Sequence, residues 1–199
     1  MKFSEIPELC AFLRDKAPPV SFSGVQCDSR RIREGDLFVA VDGSREAGGK
    51  YALAALGRGA VAVLSETPLA DCAKQVVLVK DARRALACLA AALNGWPTRA
   101  LRIFGITGTN GKTTTAWLLR EMLHAGGLNA AVLTTVQIEY RGRAIPATRT
   151  TPDACELQGL LAAMRGAGCD SAVMEVSSHA LHPPRVAGLR FAGAAGPHL

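Results

Sequence analysis

Short apolar runs alternate with amphipathic stretches along this chain, and the alternation becomes more regular in its second half. Residues 7–13 carry a brief helical pattern. Residues 37–41 form an apolar run after the turn-forming Glu34-Gly35-Asp36 and read as a strand. A helix over 51–58 stopped by Gly59 and a strand over 61–64 follow. The run 76–79 predicts another strand, and Asp81 stands where it can cap an Ala- and Leu-rich helix reaching Leu93. Asn94-Gly95-Trp96-Pro97 ends that helix and is the best linker, which places a domain boundary near residue 98.

Beyond the linker, residues 103–107 are a β-branched run, 113–124 are helical up to Gly126-Gly127, and 130–136 predict the next strand. A polar, hairpin-like stretch leads to Thr151-Pro152-Asp153. There Pro152 is expected at a first helical position, with Glu156 completing a capping box on Asp153. The helix ends near Gly168 and residues 172–176 form a third strand. Strand, helix, strand, helix, strand implies right-handed crossovers and a parallel α/β sheet.

Composition narrows the class without naming a function. With 199 residues, 49% hydrophobic and 20% charged, the chain is a soluble globular protein long enough for two small domains, and disorder, collagen and fibrous repeats are excluded. A net charge of +6 suits an anionic ligand such as a phosphate or nucleotide. The basic residues are scattered Arg without interleaved aromatics, so a nucleic-acid surface is not expected. Cys10, Cys27, Cys72, Cys88, Cys155 and Cys169 show no metal-site or disulfide spacing and read as reduced core thiols. The N-terminus is charged where a signal peptide would be apolar, and no run approaches the ~20 residues that span a bilayer. A cytoplasmic protein without membrane insertion is expected.

The most informative stretch is Gly105-Ile106-Thr107-Gly108-Thr109-Asn110-Gly111-Lys112-Thr113-Thr114-Thr115, between a strand and a helix. Its glycines let the backbone turn N–H groups inward around phosphate oxygens, and the positive end of the following helix points at the same place. Lys112 is expected at the β and γ phosphates, and Thr113 on a magnesium ion. The strict pattern G-x-x-x-x-G-K-[ST] requires Gly where this chain has Ile106. The apolar strand ending in Glu175 supplies the acid that would share the cation, because parallel strands end at one edge. A zinc reading of Glu175 with His179 and His182 is disfavoured, since Pro183 and Pro184 break the helix it requires.

Gly-Thr-Asn-Gly-Lys-Thr-Thr at 108–114, Thr-Thr-Pro-Asp at 150–153 and Glu-Val-Ser-Ser-His-Ala-Leu at 175–181 together resemble the ATP-dependent Mur ligases of peptidoglycan synthesis, of the MurE type. That family's loop is written G-T-x-G-K-[ST], which this chain satisfies. Asp28-Ser29-Arg30 and the segment 35–40 resemble its N-terminal domain, and the likeness covers about 25–191. It implies an N-terminal domain for the UDP substrate over 1–98 and an incomplete P-loop, parallel-sheet ATP domain over 99–199. The implied reaction adds meso-diaminopimelate or L-lysine to UDP-N-acetylmuramoyl-L-alanyl-D-glutamate through an acyl phosphate. ATP and Mg²⁺ are the implied cofactors, the UDP-muramoyl dipeptide and an amino acid the partners, with no obligate protein partner.

By the same resemblance, Gly108, Thr109, Asn110, Gly111, Lys112, Thr113 and Thr114 contact ATP, and Thr113 and Glu175 hold the metal. Lys112 and Glu175 are the catalytic pair. Ser29 and Ser44 lie near the uridine end, while Thr150, Thr151, Ser177 and Arg185 hold the muramoyl and pyrophosphate portion. Two departures stand out. Pro183 occupies a position where the family has Gln, and after Phe191 the sequence leaves the family pattern, so His198 does not replace the family's metal-binding His. The reading expects a C-terminally truncated copy, inactive alone. The alternative is a non-catalytic nucleotide or UDP-sugar-binding fragment.

Overall fold

Each half of the chain builds its own sheet, and the two compact units divide between Leu93 and Asn94. The computed structural model describes all residues except 17, 44–45, 148–149, 178–185 and 197–199.

In the first unit β1 (Gly24–Gln26), β2 (Asp36–Val39), β3 (Ala62–Ser65) and β4 (Val76–Leu78) lie in sequence order, all parallel. Every residue of β2 and β3 is buried, as strands covered on both faces require. Phe38, Ala40 and Val63 pack against Ala52 and Ala55 of α1 (Ala52–Leu56), and α2 (Ala82–Leu93) crosses β1 and β2. Asp81 caps α2 by accepting from the Arg84 amide at 2.9 Å. The helix expected over 51–58 is a 3₁₀ turn, Gly48–Tyr51, running into the short α1. The strand β1 was not foreseen: three residues opened by a glycine carry too little periodicity.

The second unit holds a six-stranded sheet in the order β10-β5-β9-β6-β7-β8. Its parallel centre is β5 (Arg102–Ile106), β9 (Ser171–Glu175) and β6 (Ala130–Leu133), joined through α3 (Lys112–Ala125) and α4 (Ala154–Gly166). The polar hairpin-like stretch is β7 (Gln137–Tyr140) and β8 (Arg143–Pro146), and it extends this sheet antiparallel. Residues expected to leave the family pattern form β10 (Phe191–Ala195), parallel to β5. The sheet therefore does not stop after three strands. Pro146 sits on the outer strand β8, where a missing N–H costs least.

Alternation along β9 sorts its side chains. Ala172 and Met174 join Leu157, Leu161 and Met164 of α4 in one core, while Val173 joins Ile106, Val132 and Ala116 of α3 in the other. The helices thus cover opposite faces. Glu175, two residues beyond Val173, belongs to the α3 face. Asp153, not Pro152, begins α4: its extended backbone and its bond from the Glu156 amide (2.9 Å) make it the cap. Pro152 is left outside the first turn. Among the described residues no helix is long and apolar enough to cross a membrane. Cys72, Cys88 and Cys169 are buried, whereas Cys10 is exposed and is not a core thiol.

Candidate nucleotide site

Strand register explains why residues far apart in sequence meet at one edge. Ile106 pairs with Glu175 across β5 and β9, and Leu133 pairs with Met174 across β6 and β9. All three strands run the same way, so the segments leaving β5, β6 and β9 emerge side by side. The loop 107–111 leaves β5 there. Gly108 and Gly111 adopt φ of 133° and 75°, a region that side chains disfavour, and Gly111 is the residue from which α3 starts. The first amides of α3 are thereby left facing the loop.

Lys112 Nζ donates to the carbonyl oxygens of Gly108 (2.9 Å) and Thr109 (3.0 Å), which holds its ammonium over the loop. Thr109, Asn110 and Thr114 are exposed beside it. Thr113 Oγ1 donates to Glu175 Oε1 at 2.7 Å across 62 residues of sequence. Glu175 is 1% exposed, so its charge depends on protein donors. Thr135, which follows β6, supplies two more: its amide donates to Oε1 (3.2 Å) and its hydroxyl to Oε2 (2.9 Å).

Thr150 Oγ1 lies 3.3 Å from Thr135 Oγ1. Thr151, 1% exposed, donates its hydroxyl to the Glu175 carbonyl and accepts from the Ser177 amide, both at 3.3 Å. Thr150, Thr151 and Ser177 thus gather around Glu175, with the Thr151 hydroxyl turned to backbone. Ser29 lies in the first unit, buried in the 3₁₀ turn Ser29–Arg31, which Asp28 caps by accepting from the Arg30 amide at 3.0 Å. Ser44, Arg185, His179, His182, Pro183 and His198 lie outside the described residues.

Thr135 is the site residue that sequence reading missed. No motif marks it. The available signal was a hydroxyl just beyond a strand neighbouring the one that ends in Glu175.

A carboxylate and hydroxyls are hard oxygen donors, and among the described residues no group of three His, Cys, Asp or Glu is clustered to hold a metal alone. That donor set fits Mg²⁺, which binds through one or two carboxylates while keeping waters and phosphate oxygens as its other ligands. The residues present therefore suit the ion.

Residues 106–195 match the Mur ligase middle domain, and residues 21–93 match the domain described as Mur ligase family, catalytic domain. The chain belongs to the Mur ligase family. Among curated Mur ligases it is similar to the UDP-N-acetylmuramoyl-L-alanyl-D-glutamate–2,6-diaminopimelate ligase of Geobacter sulfurreducens, at 42% identity over 170 residues. The enzyme of that name from Parabacteroides distasonis is 44% identical over 179 residues. These alignments cover 85% and 89% of this chain but 33% and 37% of the relatives, so the chain spans about a third of their length. A solved structure of a ligase with the same name superposes at a TM-score of 0.82 with 30% identity, over all of this chain and 41% of that one. MurF from Acinetobacter baumannii, at 22% identity and a TM-score of 0.58 over 89% of this chain and 36% of that one, shares the fold. The Mur ligase resemblance drawn from three short motifs thus extends through both units.

Proposed function

We propose that the second unit binds ATP with Mg²⁺ and that the protein is a ligase of the MurE type. It joins meso-diaminopimelate or L-lysine to UDP-N-acetylmuramoyl-L-alanyl-D-glutamate. The observation that carries this reading is the 2.7 Å contact between Thr113 and Glu175 beside a Gly-rich loop that cradles Lys112. The names of the relatives supply the acceptor and the diaminopimelate.

A carboxylate is a poor electrophile, and the two steps overcome that. The acceptor carboxylate oxygen attacks the γ-phosphorus of ATP and ADP leaves, giving an acyl phosphate. The amine of the incoming amino acid then attacks the acyl carbon, inorganic phosphate leaves, and a proton is lost from nitrogen. Bound Mg²⁺ supplies charge neutralisation at the phosphates. Lys112 exchanges its loop carbonyls for β and γ oxygens, amides at the start of α3 donate to the same phosphates, and Gly108 and Gly111 let the backbone approach. Thr113 and Glu175 are the metal-holding pair.

Ser29 and Ser44 are assigned to the uridine end of the acceptor, and Thr150, Thr151, Ser177 and Arg185 to its muramoyl and pyrophosphate part. In this assignment the first unit, with its boundary near residue 98, receives the UDP substrate, and the second receives ATP. The six free cysteines and the use of ATP suit the cytoplasm.

For these 199 residues, the reading is binding rather than turnover, because ligation is a property of relatives about two and a half times as long. Calorimetry with a non-hydrolysable ATP analogue and Mg²⁺ tests the first part, and absence of binding sinks it. Incubation with ATP, Mg²⁺, the UDP-muramoyl dipeptide and either amino acid tests the second. Tripeptide product from this chain would refute the binding-only reading.

A further inference from the structure

Thr134, 1% exposed, uses its hydroxyl to close the turn after β6: it donates to the Gln137 carbonyl (2.8 Å) and accepts from the Gln137 (3.1 Å) and Val136 (3.3 Å) amides. That turn fixes the backbone of Thr135, whose amide and hydroxyl then reach different oxygens of Glu175, at 3.2 and 2.9 Å. The terminal torsion of a glutamate is broad when free. Two bonds from one residue, one to each oxygen, select a single carboxylate plane. In that plane Oε1 faces Thr113. The hydroxyl of Thr135 has one proton, which goes to the carboxylate, so Thr150 is the donor in the 3.3 Å contact between the two threonines.

We propose that Thr135 is a positioning residue: it holds the Glu175 carboxylate in the orientation a divalent cation at the phosphate loop requires, and it ties that carboxylate to Thr150. This rests on the nucleotide reading above. Carboxylates that ligate metals are themselves hydrogen-bonded, and loss of such partners typically weakens metal affinity by about 10–100-fold. The Thr135 hydroxyl bonds Oε2, the oxygen that Thr113 does not touch, so its removal spares the Thr113 contact at Oε1 and leaves Lys112 and the amides of α3 in place.

The test uses the whole chain, a fluorescent non-hydrolysable ATP analogue at fixed concentration, and a Mg²⁺ titration, with nucleotide affinity in EDTA measured separately. Thr135→Val is expected to raise the half-saturating Mg²⁺ concentration by about tenfold or more while leaving the affinity in EDTA at its wild-type value. Thr135→Ser, which restores the donor, is expected to return the midpoint to that of wild type. Thr135→Ala is run in parallel, and circular dichroism checks folding, so a packing defect in one variant does not decide the outcome. If Glu175→Gln shifts the Mg²⁺ midpoint while Thr135→Val and Thr135→Ala keep the wild-type value, the positioning role is overturned and the nucleotide reading survives. If the wild-type chain binds no nucleotide at any Mg²⁺ concentration, the nucleotide reading is overturned and this inference with it.

Discussion

Lys112 Nζ sits 2.9 Å from the carbonyl oxygen of Gly108, four residues earlier in the chain. The ammonium is thereby aimed over the loop by two neutral acceptors, Gly108 and Thr109, which an anionic oxygen can replace with a stronger charge-assisted bond. Lys112→Ala is therefore expected to weaken nucleotide binding by about 2 kcal/mol or more, roughly thirtyfold in Kd. Met1–Leu93 forms its own unit and should stay folded. Calorimetry on the variant checks the loss, and an unchanged Kd removes Lys112 from the site.

Asp153 caps α4 with a 2.9 Å bond to the Glu156 amide. Asp153→Ala leaves that amide without its acceptor and is expected to destabilise the second unit by about 1 kcal/mol. Urea unfolding followed by a probe in that unit measures it. Asp153→Asn, which keeps an acceptor oxygen, should recover most of the difference.

Arg30 donates to both oxygens of Asp28, and this side-chain bond holds the Asp28 carboxyl down at about 2. A carboxyl depressed below its unfolded value of about 3.9 adds stability above that value and loses it as pH falls towards 2. Side-chain exposures of 82% for Arg30 and 32% for Asp28 leave solvent to screen the pair, so the effect on the whole unit should be slight. The local signature is sharper. A carboxyl NMR titration is expected to place the Asp28 midpoint near 2, and Arg30→Ala should raise it towards the free value of about 3.9, short of a full return because the residue-30 amide still donates to Asp28.

Burial pushes the Cys88 thiol up to about 11 and raises those of Cys72 and Cys169, while Cys10 is exposed. Thiolate is the reactive form. Alkylation at pH 8 should modify Cys10 first, and mass mapping should find Cys72, Cys88 and Cys169 protected until the chain unfolds. Rapid labelling of Cys88 in the folded protein would contradict its place on the buried face of α2.

The elements legible in the sequence are those whose burial demands a period. β5, α3, β6, α4 and β9 each show one face or an unbroken apolar run, and the Gly-Lys-Thr turn falls between two of them. β10 was not legible because Phe-Ala-Gly-Ala-Ala has little strand preference of its own, and its partner β5 supplies the pairing. β7 and β8 suggested a hairpin, but the sheet they join is set by the pairing of Val132 with Glu139, which no local pattern encodes. At the site, Lys112, Thr113 and Glu175 follow from a loop motif and a strand end. Thr135 depends on where β6 stops relative to β9, a relation that exists only after folding. Thr151 shows the converse: its motif suggested a ligand contact, and its hydroxyl is engaged with the Glu175 carbonyl and the Ser177 amide.

The two-residue repeat of β9 makes the site unusually sensitive to frame. Ser171, Val173 and Glu175 look towards α3, while Ala172, Met174 and Val176 look towards α4. Deleting a single amino acid within this strand ahead of Glu175 would exchange the sets beyond it, driving a carboxylate into the packing beneath Leu161 and leaving Val176 opposite Thr113. Homologous chains can therefore vary the length of the segments that flank β9, but a change of one inside it would forfeit both the hydrophobic interior and the acid in one event.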